Sequence, residues 1–95
     1  MEWRLFANLA EAAGAKHVDV EAGTGDTLGD AFDQLLREHP DLEAIVLDGA
    51  GELEDHIRLL HNEGDPFSDG DGFDTVLEAD DDLALFPPVS GGRHR

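Results

Sequence analysis

Groups able to do chemistry are sparse in this chain, and the most distinctive of them carries no side chain. The sequence ends LFPPVSGGRHR, so that two prolines close an apolar segment, Gly91 and Gly92 follow, and Arg93, His94 and Arg95 finish. A glycine pair cannot pack or ligate through side chains, and it loses much conformational freedom when held in one shape. What it offers is access. A thin strand can enter a narrow channel in another protein and present a terminal carboxylate to chemistry there. On composition alone the competing reading is a frayed terminus.

The other candidates fail on spacing. Ser68-Asp-Gly-Asp-Gly-Phe-Asp74 suggests a calcium loop, but counted from Asp69 the fifth position is Phe73 and the sixth is Asp74, where the template needs an oxygen ligand and a glycine. It reads as a solvated acidic loop. The histidines at 17, 39, 56, 61 and 94 include the pair His56 and His61, which on a strand point to opposite faces and share no metal. Gly23-Thr-Gly-Asp-Thr-Leu28 lacks the third glycine of a dinucleotide fingerprint. With no cysteine there is no disulfide framework, thiolate metal site or thiol nucleophile. No Ser/His/Asp spacing argues for a triad.

Several elements must position whatever the glycines do. Glu2 to Ala7 alternates, with Met1, Trp3 and Leu5 on one side and Glu2, Arg4 and Phe6 on the other. A helical turn over Asn8 to Ala13 ends at Gly14, and His17 to Glu21 alternates again to complete a hairpin. Thr27-Leu-Gly-Asp30 has the form of a capping box, and Leu28, Ala31, Phe32, Leu35 and Leu36 make one apolar helix face. His39-Pro40 ends that helix, and Asp41 to Leu47 adds a short helical piece. The spacing predicts a strand over His56 to His61, a turn at Asn62 to Gly64, a short edge strand near Phe67 and a last strand over Leu83 to Phe86. Pro87 and Pro88 stop the sheet because neither can donate to a ladder. The order is that of an α+β domain, a mixed sheet packed on one main helix, over residues 1–89 with a flexible tail at 90–95.

If that helix covers the face holding Trp3, Leu5, Ile57, Leu59, Leu83 and Leu85, then Phe6, Leu60 and Phe86 lie on the uncovered face. A contiguous apolar cluster on a small, highly charged protein marks a partner-binding patch.

Composition narrows the partners. The chain has 95 residues, 23 acidic against 6 basic, and a formal charge of −17, which argues against nucleic acid and anionic membranes as partners. Lys16 is the sole lysine. An acidic, lysine-poor surface suits molar salt, where the Debye length falls to about 3 Å, so a halophilic source is expected. No apolar run is long enough for a signal peptide or a membrane span, and the expectation is a cytoplasmic protein that is monomeric alone.

MEWRLFANLAEAAG, TLGDAFDQLLREHP, DHIRLLHNEG and DDDLALFPPVSGG together resemble the small archaeal modifier proteins. These are ubiquitin-like relatives of the molybdopterin synthase small subunit and of the thiamine-pathway sulfur carrier. The resemblance spans nearly the whole chain, and FPPVSGG after an apolar strand is its most specific part. It implies a β-grasp fold and a tail that works as a handle. An ATP-dependent activating enzyme would adenylate the carboxylate of Gly92, with Gly91 its slender neighbour, and attack by a persulfide or thiol would give a thiocarboxylate or thioester. Sulfur delivery or conjugation to protein lysines would follow. The protein itself would be no enzyme and hold no cofactor, ATP being used by the activating enzyme. By the same resemblance Phe6, Leu60 and Phe86 would be the docking patch, and Lys16 the one side chain on which chains of the protein could be built.

Arg93-His94-Arg95 departs from the family pattern, which ends at Gly-Gly. A processing peptidase removes the three residues, they are a remnant of recombinant production, or the chain is not activated. Three functions stay open at this point: a modifier and sulfur carrier, a dedicated small subunit docked on the molybdopterin synthase large subunit, and a binding domain that is never conjugated.

Overall fold

The computed structural model describes residues 1–54 and 56–87. The domain boundary expected at 89 and the tail beyond it lie outside them. Four strands form one sheet: β1 (Glu2–Leu5), β2 (His17–Asp19), β3 (Arg58–His61) and β4 (Leu83–Phe86). Their spatial order is β2-β1-β4-β3, with the central pair β1 and β4 parallel and the outer pairs antiparallel. A parallel pair needs a crossover, and the helices between β2 and β3 supply it on one face only. That face holds the core. Trp3 stands opposite both Val18 and Leu83, and Leu85 stands opposite both Leu5 and Leu59. All six are buried.

The main helix, α2 (Leu28–Glu38), starts as its sequence dictates. The Thr27 hydroxyl accepts from the Asp30 amide at 3.2 Å, and the Asp30 carboxylate accepts from the Thr27 amide at 3.1 Å. Leu28, Ala31, Phe32, Leu35 and Leu36 are all buried. Trp3 joins helix to sheet twice over: it is fully buried, and its indole N–H donates to the Ala31 carbonyl at 3.2 Å. His39 closes α2, and Pro40, at a first-turn position where the absent N–H costs nothing, opens α3 (Pro40–Val46). Leu42 and Val46 are fully buried, so the core is roofed by two successive helices rather than one. A third, α1 (Asn8–Ala13), contributes the buried Leu9.

Three details differ from the sequence reading. The first strand stops at Leu5, because Ala7 takes a positive φ of 53° and the Leu9 amide folds back onto the Phe6 carbonyl at 3.1 Å. His56 and Ile57 are not part of β3; the Ile57 amide bonds the Glu54 carbonyl at 3.0 Å in a turn. Most consequentially, there is no edge strand near Phe67 among the described residues. Pro66–Asp69 form a single helical turn, α4. The Asp65 carboxylate accepts from the Phe67 amide at 2.9 Å and Pro66 supplies a helical φ, and these local signals outweigh the β-propensity of one phenylalanine. A 3₁₀ turn over Gly72–Asp74 follows.

Candidate docking face and the approach to the tail

Among the described residues the sheet's other face carries no helix, and alternation fixes what it displays. Arg4 lies opposite His17 on one side and Ala84 on the other; Ala84 lies opposite Leu60, and Phe86 opposite Arg58. Phe6, one residue past β1, continues the same side. Its ring stacks on Phe86 with centroids 4.1 Å apart and planes 9° from parallel, an arrangement that gains beyond simple burial. Phe6, Leu60 and Phe86 are each half-buried. Their mutual cover accounts for this, together with Ala84, only 2% exposed as the floor between Arg4 and Leu60. The patch is low and close-packed rather than three side chains standing in water. Because β4 runs toward Phe86 and Pro87, the stacked rings sit at the end of the sheet from which the chain proceeds to Gly91 and Gly92.

The opposite end of that face is held by a polar belt that sequence reading missed. Arg4 grips Asp82 with two nitrogens, its Nε donating to Oδ1 at 3.1 Å, and its guanidinium carbon lies 6.0 Å from the Phe6 ring centroid. The Asp82 amide donates to the Asn62 side-chain oxygen at 2.8 Å. Asn62 donates in turn to Asp81 at 2.9 Å, whose other carboxylate oxygen is 2.7 Å from His61 Nε2 and accepts from the Glu78 amide at 2.8 Å. Burial alone would raise the Asp81 carboxyl, but the bonds from His61, Asn62 and Glu78 outweigh it and hold it below the ordinary aspartate value. These contacts lock the turn after β3 to the approach of β4, which fixes the register of the face. The alternation of β1 and the acid run before β4 were visible in sequence, but the parallel β1–β4 pairing that brings Arg4 to Asp82 was not.

Lys16 is exposed, in the turn before β2. Gly91, Gly92, Arg93, His94 and Arg95 lie outside the described residues. Among the described residues no cluster of histidine and acidic side chains could hold a metal ion, and His56 and His61 form separate contacts, with Glu54 and Asp81. No helix among them is long and apolar enough to cross a membrane.

Comparison with known proteins gives these features a context. The sequence profile of the ThiS family matches residues 3–92. Small archaeal modifier protein 1 of Haloferax volcanii is 50% identical over 92 residues, covering 97% of this chain and 100% of that one. Small archaeal modifier protein 3 of the same organism is 33% identical over 92 residues, covering 97% and 98%. A crystal structure of the first of these superposes with a TM-score of 0.84 at 48% identity, covering 97% of this chain and 98% of that one. The uncovered sheet face, the roofing helices and the residues leading to Gly-Gly thus occur in a chain that belongs to the ThiS family of ubiquitin-like β-grasp proteins.

Proposed function

We propose that this protein is a ubiquitin-like small protein modifier and sulfur carrier whose working group is the carboxylate of Gly92. The observation that carries the reading is the continuity of two features: the stacked Phe6 and Phe86 end the sheet where the chain sets out toward Gly91 and Gly92. An enzyme that grips the face with an apolar pocket has the handle within reach of its active site. Similarity over almost the whole length to small archaeal modifier proteins 1 and 3 supports it.

Each chemical step asks little of this chain. A free carboxylate is a poor acyl donor, so an activating enzyme joins it to the adenylyl group of ATP and pyrophosphate leaves. A sulfur nucleophile then attacks the acyl carbon and AMP departs; a lysine amine of a target protein that later attacks the resulting thioester expels the thiol and forms the isopeptide bond. The chain contributes positioning through Phe6, Leu60 and Phe86, and access through two residues without side chains. It is a substrate and not an enzyme, it holds no cofactor, and it acts in the cytoplasm. Activation requires that Gly92 be terminal, so the active form lacks Arg93-His94-Arg95.

The test is ATP–pyrophosphate exchange catalysed by the activating enzyme from the same cells, with the chain ending at Gly92 compared with the chain ending at Arg95. Exchange with the first and none with the second is the expected result. Equal exchange, or none with either, refutes the assignment of Gly92.

A further inference from the structure

With α4 in place of the expected edge strand, the outer edge of β3 has no neighbouring strand among the described residues, and a cleft of about 850 Å³ opens between β3, the first turns of α2, the 47–54 segment and the 65–74 segment. Its lining includes the inward Leu59 of β3 together with Phe32 and Leu36 of α2, and also Arg58, which stands opposite Phe86 in the sheet register. Its wall is aromatic. Phe67 meets Phe73 edge-on with centroids 5.0 Å apart, and Phe73 stacks on Phe32 at 5.3 Å, so that a ladder of rings runs from the surface into the core. Phe67 is 46% exposed, one of only two exposed large hydrophobic residues among those described.

This exposure is built in. Gly72 has a φ of +60°, and a Cβ there would stand 3.3 Å from the Phe67 ring. Gly29 sits in the first turn of α2, where a Cβ would lie 3.2 Å from the Phe73 carbonyl. A glycine inside a helix is unfavourable for backbone entropy, and here it lets the segment carrying both rings close on α2. Asp65 fixes the turn that presents Phe67, accepting from the Phe67 amide at 2.9 Å and from the Ser68 hydroxyl at 3.3 Å.

Charge selects the occupant. Asp33, Glu52, Glu54 and Asp65 line the cleft against one cation, Arg58. Hydrogen bonds from the backbone and side chain of His56 keep Glu54 below the ordinary glutamate value, hence ionised. Acidic or nucleic-acid partners are repelled from such a rim. An apolar anchor set beside lysine or arginine matches both the rings and the carboxylates.

We propose that the Phe67 cleft is a second docking site, which takes a short segment of a partner protein bearing an apolar anchor flanked by basic residues. The site is independent of the outer sheet face and of activation at Gly92, so the protein can be held by one partner while another works on its tail.

The test uses three synthetic dodecapeptides with fluorescent labels: a Val-Ile-Leu-Phe core flanked by lysine and arginine, the same core flanked by glutamate, and a Ser/Gly core with the basic flanks. Binding is read by anisotropy in 0.5 M KCl, and amide shifts locate the site. The basic peptide with the apolar core should bind more tightly than both others, shift the amides around Phe67, Phe73 and Leu53, and weaken by about tenfold or more with Phe67→Ser. Leu60→Ser should leave it unchanged. Phe67 is surface-exposed, so its replacement keeps the fold, which circular dichroism checks; Glu52→Gln should weaken binding in the same direction without touching an apolar contact. Three results would overturn the proposal: no binding of the basic peptide at millimolar concentration, equal binding of all three, or shifts confined to the outer sheet face.

Discussion

The Asp81→Asn substitution tests how the β3 turn is held to β4. In the native chain one carboxylate oxygen lies 2.7 Å from His61 Nε2 and 2.8 Å from the Glu78 amide, while the other accepts from Asn62 at 2.9 Å. The side chain is only 10% exposed, so solvent replaces little of what is lost. Asparagine keeps one acceptor oxygen and turns the other into a donor facing a donor. Losing one hydrogen bond to a charged, mostly buried group costs about 1.5–3 kcal/mol. Taking about 2 kcal/mol, a domain of this size should melt about 8–16 °C lower. Thermal unfolding followed by far-ultraviolet circular dichroism in concentrated salt measures this. The pH dependence has a definite sign. The folded-state value of Asp81 is depressed, so its contribution is complete above the unfolded aspartate value of about 3.9 and disappears as pH falls through the lower folded value. The gap between wild type and variant should therefore be flat from neutral pH down to about pH 5 and close in stronger acid. A variant that melts with the wild type at pH 7, or a gap that persists undiminished in strong acid, would refute the reasoning.

Other substitutions probe separate links. Thr27→Ala removes the hydroxyl half of the α2 capping box and should cost about 1 kcal/mol in urea unfolding. Glu63 follows Asn62 in a tight turn and has a φ of 69°; Glu63→Gly relieves that conformation and should raise stability by about 0.5–1 kcal/mol. Phe86→Ser removes half of the ring stack and should weaken binding to the activating enzyme by about tenfold or more, read by isothermal titration. With 23 acidic and 6 basic residues, the melting temperature should rise steeply between dilute buffer and molar KCl as like-charge repulsion is screened. A flat response would contradict the expected halophilic character.

The legibility of the fold follows the range of the interactions. The capping box at Thr27, the apolar face of α2 and the inward set of Trp3, Leu5, Leu59, Leu83 and Leu85 could be read directly, because each depends on neighbours within a turn or on strict alternation. The outer residues Phe6, Leu60 and Phe86 could be named for the same reason. Their stacking could not, since it needs the parallel register of β1 on β4, and that is set by the whole sheet. Phe67 misled for a related cause: a lone aromatic near an edge suggests a strand, yet the Asp65-Pro66 pair beside it carries the stronger local instruction. The Arg4–Asp82 grip joins residues at opposite ends of the sequence, where no periodicity operates. The chemistry of the tail was visible only as composition, an apolar strand stopped by prolines and followed by Gly-Gly. Its meaning came from the family likeness.

The most direct test of the central claim is the intact mass of the protein isolated from its native cells, with the C-terminus sequenced by fragmentation. The expected result is a species ending at Gly92, accompanied by a form heavier by the exchange of one oxygen for sulfur and by Gly92 in isopeptide linkage to target lysines. A population ending uniformly at Arg95, with no linked forms, would contradict it and leave a β-grasp binding domain that works through its surfaces alone.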